Sequence, residues 1–476
     1  MRVRFNIYIL FWVVLFPVLL SACIEDGYTT SSSDLLEFST DTLSFDTTFT
    51  ETGTPTKTFK VYNRHSKMIQ ISSVKLAGGD EGQFYLNVDG MSGSEFSSVD
   101  IRGNDSIYIF VEAYVDTNND NNPIKIEDKI EFITNGVTQY VVVDAWGQDV
   151  IRLDGELIDS DRVLTAQKPY WIHDTLTVEH NVTLTIEAGA TLYFHDKAAM
   201  RVDGTLTAIG TADAPITMRG DRLDQVVGDI SYDIMSGQWG GIDISADSYG
   251  NSMHYVSMRG STTGLVVDSC NVEQLKLDLF NSVLHNSSGS VLTVSHAWVV
   301  ADGCEFSDAA NSVVDLTGGK YSFTQSTFAN NYLFSAVSDC IININYIYLE
   351  EFTTAPLMSA TFDNSIIYGI ASDINNGDLT GTDIYIRSTL LRSDGSDDGN
   401  FINCVWGADP KFYTVRDEYY FDYRLQNESD AIAQGDLSLL PERCSTDMYG
   451  TVRNSGNGID LGAYAWVLST DDLELP

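Results

Sequence analysis

Short runs in which apolar and polar positions alternate fill most of this chain. Thr58-Phe59-Lys60-Val61-Tyr62, Ile69-Gln70-Ile71, Ser106-Ile107-Tyr108-Ile109-Phe110-Val111 and Gln139-Tyr140-Val141-Val142-Val143 are examples. A period of two with β-branched and aromatic residues means strands buried on one face. Turn formers separate the runs: Gly53-Thr54-Pro55, Gly78-Gly79-Asp80 and Asn135-Gly136. About seven such strands over about 115 residues predict an Ig-like β-sandwich across residues 35–149. That stretch has no cysteine, so no disulfide joins its sheets.

From residue 150 the pattern changes to a repeat. Apolar runs begin at Ile242, Leu265, Val291, Val313, Phe334 and Leu357, at intervals of 23, 26, 22, 21 and 23 residues. A strand that recurs at nearly fixed spacing fits a coil whose turns stack and bury one inner column. Asn281-Ser282-Val283, Asn311-Ser312-Val313 and Asn364-Ser365-Ile366 read as repeated corners. Asparagine and glycine supply the left-handed backbone that corners need.

Two longer segments bracket the repeat. The first runs from Leu184-Thr185-Ile186-Glu187-Ala188-Gly189 through Val202-Asp203-Gly204-Thr205-Leu206 to Ala214-Pro215-Ile216-Thr217, with Trp239-Gly240-Gly241-Ile242 later. The second holds Asp409-Pro410-Lys411-Phe412, Tyr423-Arg424-Leu425-Gln426-Asn427, Asp447-Met448-Tyr449-Gly450 and Gly458-Ile459-Asp460-Leu461-Gly462-Ala463-Tyr464. Together they resemble the entry turns and closing segment of right-handed, pectin-lyase-like β-helix proteins among Bacteroidota surface lipoproteins. That family holds polysaccharide lyases, hydrolases and members with no assigned activity. In the sandwich, the order Leu43-Ser44-Phe45, Lys60-Val61-Tyr62-Asn63, Ile130-Glu131-Phe132 and Ala145-Trp146-Gly147-Gln148-Asp149 resembles Ig-like domains of the ASPM, SPD-2 and Hydin type. Such domains act as spacers and docking modules. The expected fold class is therefore all-β: an N-terminal Ig-like β-sandwich followed by a right-handed parallel β-helix over 150–465, with a tail at 466–476.

The start of the chain reads as an address. Arg2 and Arg4 precede an apolar run from Ile7 to Leu20, and Leu20-Ser21-Ala22-Cys23 ends it. This describes a secretory signal over residues 1–22, too short for a confident spanning helix. The last four residues resemble a lipoprotein signal, which implies a lipidated Cys23 that holds the protein to a membrane. Ile24-Glu25-Asp26 looks like the acidic signal that sends such lipoproteins to the outer face of the outer membrane. Residues 23–34 then read as a flexible tether.

Charge narrows the partners. With 27 Lys+Arg against 67 Asp+Glu the net charge is −40, which excludes nucleic-acid binding through a basic surface. It also disfavours polyanionic glycans unless Ca²⁺ bridges them. Five cysteines follow Cys23, an odd number without CxxC spacing, and they read as buried free thiols.

One metal motif needs weighing. Asp116, Asn118, Asp120 and Glu127 stand at positions one, three, five and twelve of an EF-hand-like loop, a set of hard oxygens for Ca²⁺. Asn121 stands where that loop wants glycine, Pro123 lies inside it, and strands flank it. A solvated loop is the plainer reading.

Catalytic motifs are sparse. Gly-x-Ser-x-Gly, a Walker loop and His-Glu-x-x-His are missing. Asp397-Asp398 is an adjacent acid pair, yet no histidine follows it, and it reads as a polar loop. Arg259, Lys276, Arg387 and Arg392 lie within the array with no fixed acid partners. Trp239, Trp298, Trp406, Tyr346, Tyr348, Tyr368, Tyr385, Tyr419 and Tyr420 are the candidate aromatics for stacking on sugar rings. The sequence favours a surface-anchored, non-catalytic protein that binds glycan or host or matrix material, or serves as a structural module. The alternative is a polysaccharide lyase or glycoside hydrolase working in a β-helix groove.

Overall fold

The computed structural model describes residues 27–469 apart from 80–82, 229, 338, 346–347, 350–352, 355, 376–378, 380–381, 455 and 457. The leader, Cys23 and the residues after 469 lie outside the described residues. The chain divides into two compact units that meet in sequence at Asp149 and Val150.

The first unit is an Ig-like β-sandwich. One sheet pairs strands Glu37–Phe38, Lys57–Asn63, Asp105–Ala113, Phe84–Val88 and Met91–Gly93 in that order. The other pairs Thr42–Phe49, Val137–Gln148, Ile124–Thr134, Ile69–Leu76 and Glu95–Phe96, with Val99–Ile101 also on Ile69–Leu76. Alternate residues such as Phe59, Val61, Ile109, Val111, Phe132 and Val143 turn inward and form the core. The Phe38 and Phe59 rings lie 4.9 and 6.3 Å from that of Phe132. Residues 27–34 are not a free tether. Tyr28 Oη donates to Asp100 at 2.8 Å, Thr29 N to the Met68 carbonyl at 2.9 Å, and Thr29 Oγ1 to Asp34 at 2.5 Å. The Tyr28 and Thr29 hydroxyls find acceptors within the sandwich unit.

The second unit is a parallel β-helix. Among the described residues its three sheets hold eleven, eight and ten strands, and consecutive coils pair in parallel. One ladder of the eight-stranded sheet runs Met200, Ile242, Leu265, Leu292, Val314 and Ile342. The predicted register holds at Ile242 and Leu265, then slips by one at Leu292 and Val314. It fails at Phe334, which is exposed in a loop, and at Leu357, which belongs to the ten-stranded sheet. The coil after Val314 carries a longer loop, and an apolar loop residue at the right spacing imitated a strand.

The corner between the ten- and eleven-stranded sheets repeats one device. Tyr255, Asn281, Gly303, Gln325, Asn364, Ser388 and Asn403 all take φ between 45° and 68°. From Tyr255 to Ser388, each amide donates to a carbonyl of the next coil at 2.9–3.0 Å. Asn311, read as the same corner, lies instead on the way into the eight-stranded sheet. From Asn281 onward, the residue after each left-handed position turns its own hydroxyl or thiol back to the chain. Ser282, Cys304, Ser326, Ser365, Thr389 and Cys404 all do so, at 2.8–3.8 Å. Two of the unexplained cysteines thus stand in a serine column. Burial pushes the Cys404 thiol up to about 11, which keeps it protonated and inert.

From Asp409 onward the chain turns back over the outer side of the eleven-stranded sheet. Phe412, Tyr423, Leu425, Leu461 and Tyr464 pack on Val283, Ala329, Ile366 and Leu390. Gly462 takes φ +90°, and a Cβ there would stand 2.7 Å from both Ile366 and Thr327, so the position requires glycine. Buried polar bonds fix the cover. Arg453 donates to Gln325 at 2.8 Å and to the carbonyls of Gly462 and Ala463 at 3.0 and 2.6 Å. Tyr423 donates to Asp308 at 2.7 Å and Tyr464 to Glu305.

Arg443 completes the fastening with bonds to Asp302 at 2.6 Å and Asp278 at 2.9 Å. Burial raises the Asp278 carboxyl, but hydrogen bonds from His254 and Arg443 outweigh it and hold the group below its usual 3.8. Its share of stability is therefore present above pH 3.8 and is lost as pH falls through the lower folded value. Denaturant unfolding at stepped pH checks this. The stability gap between wild type and Asp278→Asn is expected to be constant from pH 7 to about 5 and to shrink below about 4. A gap that widens on acidification would contradict it.

Candidate functional site

Outward side chains of the eleven-stranded sheet form one straight row. Arg152, Trp171, Tyr193 and Arg219 pair in register across successive coils. Arg259 follows, next to Met258, the partner of Met218. Inward neighbours Ile172, Phe194 and Met218 sit in the core, so alternation alone turns this row out. Coils rise about 4.8 Å each, which gives the row regular pitch. A second row two residues on holds Asp154, His173, His195 and Asp221. Beyond Arg259 the same face continues through His285 and Ser307, but there the segment after Asp409 seals it. The open row therefore ends at a wall, which carries the exposed Tyr449, stacked on Tyr464 with ring centres 5.8 Å apart.

Fixed hydrogen bonds and ring contacts hold this face in place. Asp221 Oδ2 accepts from Trp171 Nε1 at 2.9 Å and lies 2.6 Å from His195 Nδ1. His173 and His195 stack with ring centres 4.5 Å apart, and Trp171 meets His173 edge-on at 4.1 Å. Burial, helped by Arg152 and His195, pushes the His173 imidazole below its usual 6.5, so it is neutral at pH 7. The Arg152 guanidinium lies over the Trp171 ring at 5.4 Å and pairs with Asp154 at 2.9 Å.

The loop after Asp221 forms the side of the row. Its short turn Tyr232–Ile234 is capped by Ser231, which accepts from Asp233 N at 3.2 Å. That cap presents Asp233 between two arginines, 3.3 Å from Arg219 and 3.9 Å from Arg259. Gln238 donates to the carbonyls of Tyr232 and Met235, and Asn286 to that of Ile234, so the loop is anchored to the coils. Arg222 covers Tyr232 at 4.0 Å and pairs with Asp224 at 2.6 Å. The outcome is a patch of planar donors and acceptors, near charge balance, on a strongly acidic protein.

The residues singled out from sequence fare unevenly. Arg259 is in the row. Lys276 is buried and donates to the Ser245 and Ala246 carbonyls. Arg387 pairs with Asp363, and Arg392 donates to the Gly369 carbonyl at 2.7 Å. Trp239 is core, stacked on Phe194 at 4.1 Å. Trp298 lies under Lys320 at 4.0 Å, and Tyr368 meets Phe412 at 6.0 Å. Tyr346 and the side chain of Tyr348 lie outside the described residues. Tyr419 and Tyr420 are exposed in the closing segment. Asp397 and Asp398 both accept backbone amides of their own loop, and Trp406 Nε1 bonds Asp397 at 3.0 Å.

The calcium candidates are not gathered into a site. Asp120 N donates to Asn118 Oδ1 at 2.8 Å and Asn122 N to Asp120 Oδ1 at 3.1 Å. Glu127 stands in strand Ile124–Thr134, where Lys125 meets it at 3.2 Å. Asp116 uses its amide on Gln83. The loop is organised by Asp149, whose carboxylate accepts from the amides of Asn118 and Asn119 at 3.2 and 3.0 Å. Among the described residues no group of three His, Cys, Asp or Glu is placed to hold a metal.

Sequence reasoning missed Trp171, His173, Tyr193 and His195. A signal was present: Trp171 to Tyr193 and His173 to His195 are both 22 residues, one coil. Equal spacing in two adjacent columns places like side chains in line. It also missed a sealed cluster, in which Ser307 donates to Glu305 at 2.5 Å and lies 2.9 Å from His285. That serine is fully buried and its proton points at the acid, so the cluster is a polar fastening and not a nucleophile.

No family model matches the chain. A stretch of 75 residues is 40% identical to the Protein bark beetle of Drosophila melanogaster, which is 16% of this chain and 2% of that protein's length. Among solved structures, the ASH / PapD-like domain of human CEP192 aligns at 11% identity and a TM-score of 0.16, over 24% of this chain and 84% of that one. A family 123 glycoside hydrolase from Clostridium perfringens aligns at 8% identity and a TM-score of 0.18, over 28% and 26%.

Proposed function

We propose that this protein binds a glycan along the open row of the β-helix, without cleaving it, while a lipidated Cys23 holds it to the outer face of a membrane. The observation that carries the reading is the straight row Tyr193, Arg219 and Arg259, extended at one end by Trp171, which is buried with Arg152 over its ring, and flanked by His173, His195 and Asp233. The Tyr193 ring in line with planar hydrogen-bonding groups suits a polymer of rings and hydroxyls. Charge balance within the patch and a net charge of −40 around it favour a neutral polymer.

The test uses the chain from Gly27 onward against a panel of neutral and acidic polysaccharides, read by affinity electrophoresis and calorimetry. Tyr193→Ala and Arg259→Ala are each expected to weaken binding at the row about tenfold, worth about 1.4 kcal/mol. Unchanged affinity for every glycan of the panel in both variants would refute the reading. One arrangement favours a second reading, glycan hydrolysis. Asp221 engages His195 Nδ1 and leaves Nε2 without a partner among the described residues, the disposition of a general base. New reducing ends that vanish in His195→Ala would establish it.

A further inference from the structure

The sandwich carries a cavity of its own, on the outer side of the sheet that includes Phe84–Val88 and Asp105–Ala113. Its volume is 630 Å³, within the range of small-molecule sites. We propose that this cavity is a second carbohydrate site, which takes one ring of a neutral sugar, so that the sandwich binds ligand as well as spacing the β-helix.

Strand register builds the site. One cross-strand row reads Phe110, Asn87, Ser92, and the next reads Glu112, Tyr85. Thr56 closes the second row by donating to Glu112. The core is formed by the intervening residues Leu86, Val88, Ile109 and Val111, so Tyr85 and Phe110 are not core packing. Tyr85 is 58% exposed, so its ring is open to a ligand on the outer face of the sheet. Asn87 is already oriented: it donates to Ser92 at 3.0 Å and accepts from Gly90 N at 2.9 Å. Two aromatic faces set diagonally, with an amide, hydroxyls and a carboxylate between them, match a pyranose, which has an apolar face and an equatorial rim of hydroxyls.

Charge selects among sugars. Glu112 is the charged group of the lining, and the neighbouring cation, Lys60, is drawn over the Tyr108 ring at 4.8 Å. An anionic sugar would meet Glu112 with no cation among the described lining residues to offset it, whereas a hydroxyl pair can donate to its spare lone pairs.

This site belongs to the sandwich and the row to the β-helix, and the experiment separates them. The chain from Gly27 onward is made as wild type, as Tyr193→Ala/Arg259→Ala, and as Tyr85→Ala. Calorimetry and saturation-transfer NMR are run with neutral mannose, glucose, galactose and xylose oligosaccharides. Tyr85 is exposed, so its loss leaves the sandwich folded, and the circular dichroism spectrum checks that. The expected result is one oligosaccharide still bound by Tyr193→Ala/Arg259→Ala and bound at least tenfold more weakly by Tyr85→Ala. Asn87→Ala is expected to weaken it as well. No oligosaccharide bound by the double variant, or equal affinity in Tyr85→Ala and wild type, overturns the proposal. Preference for uronic or sialic sugars at this site overturns its chemistry.

Discussion

Phe323→Ala is expected to destabilise the β-helix by about 3–5 kcal/mol. The ring is fully buried at the centre of four phenylalanines. It stacks on Phe362 with centres 5.2 Å apart and planes 4° apart, and meets Phe306 and Phe328 edge-on at 5.8 and 5.4 Å. Removing it deletes three ring contacts and opens a void between two sheets. Backbone ladders on both sides keep those sheets from closing over the gap, so little relaxation is available. Each ring pair adds about 0.5–1.5 kcal/mol beyond burial, so Phe323→Leu should recover only part of the loss. Urea unfolding followed by fluorescence and circular dichroism measures both. A loss below about 1.5 kcal/mol would mean that the coils collapse around the hole.

Arg453→Met is expected to cost about 3 kcal/mol or more, and to do so locally. The guanidinium is fully enclosed; its Nη1 and Nη2 donate to Gln325 and to the Gly462 and Ala463 carbonyls, while Nε has no partner among the described residues. Methionine fills most of the volume but strands these acceptors without water. Each stranded buried acceptor costs about 1–3 kcal/mol. The cover over the eleven-stranded sheet should loosen before the coils do. Limited proteolysis is expected to cut between residues 409 and 469 while fragments from 150 to about 400 persist. Hydrogen exchange at Gly462 and Ala463 should rise by two orders of magnitude or more, as about 3 kcal/mol requires. Arg424→Ala, which removes a half-exposed arginine from Asp422, should cost much less.

Much of this architecture can be read from one-dimensional periodicity. Strand alternation is local, so Phe59-Lys60-Val61 and Leu184-Thr185-Ile186 declare their faces without tertiary knowledge. Coil spacing is nearly local too, and it placed Ile242 over Leu265. It failed where the loop after Val314 lengthened, because loop length does not disturb the fold but does disturb the count. Corner chemistry was half legible. Asn281 and Asn364 announced left-handed turns, but Tyr255 and Gln325 take the same φ under the constraint of the stack, against their own preference. The outward row needed a further step, the coincidence of two 22-residue spacings at Trp171 and His173. Asp233 was beyond reach, since a hairpin and a short turn with no repeat of their own deliver it. The placement of Arg453 and Tyr464 was equally hidden, because Gln325 and Glu305, which receive their bonds, lie over a hundred positions upstream.

That distance sets an order of events in the making of the protein. Neighbouring coils join across roughly one coil of chain, so a polypeptide delivered from its N-terminus can wind as it arrives. The bonds that finish it are remote: Arg443 to Asp278 spans 165 positions and Tyr464 to Glu305 spans 159. Until those last residues emerge, Val283, Ile366 and Leu390 stand in water as an apolar strip along a regular parallel sheet. A second nascent chain offers the same strip, so the half-made molecule is its own best aggregation partner. The hazard is kinetic, confined to the interval between winding and sealing, and a chaperone that shields this one surface for that time removes it.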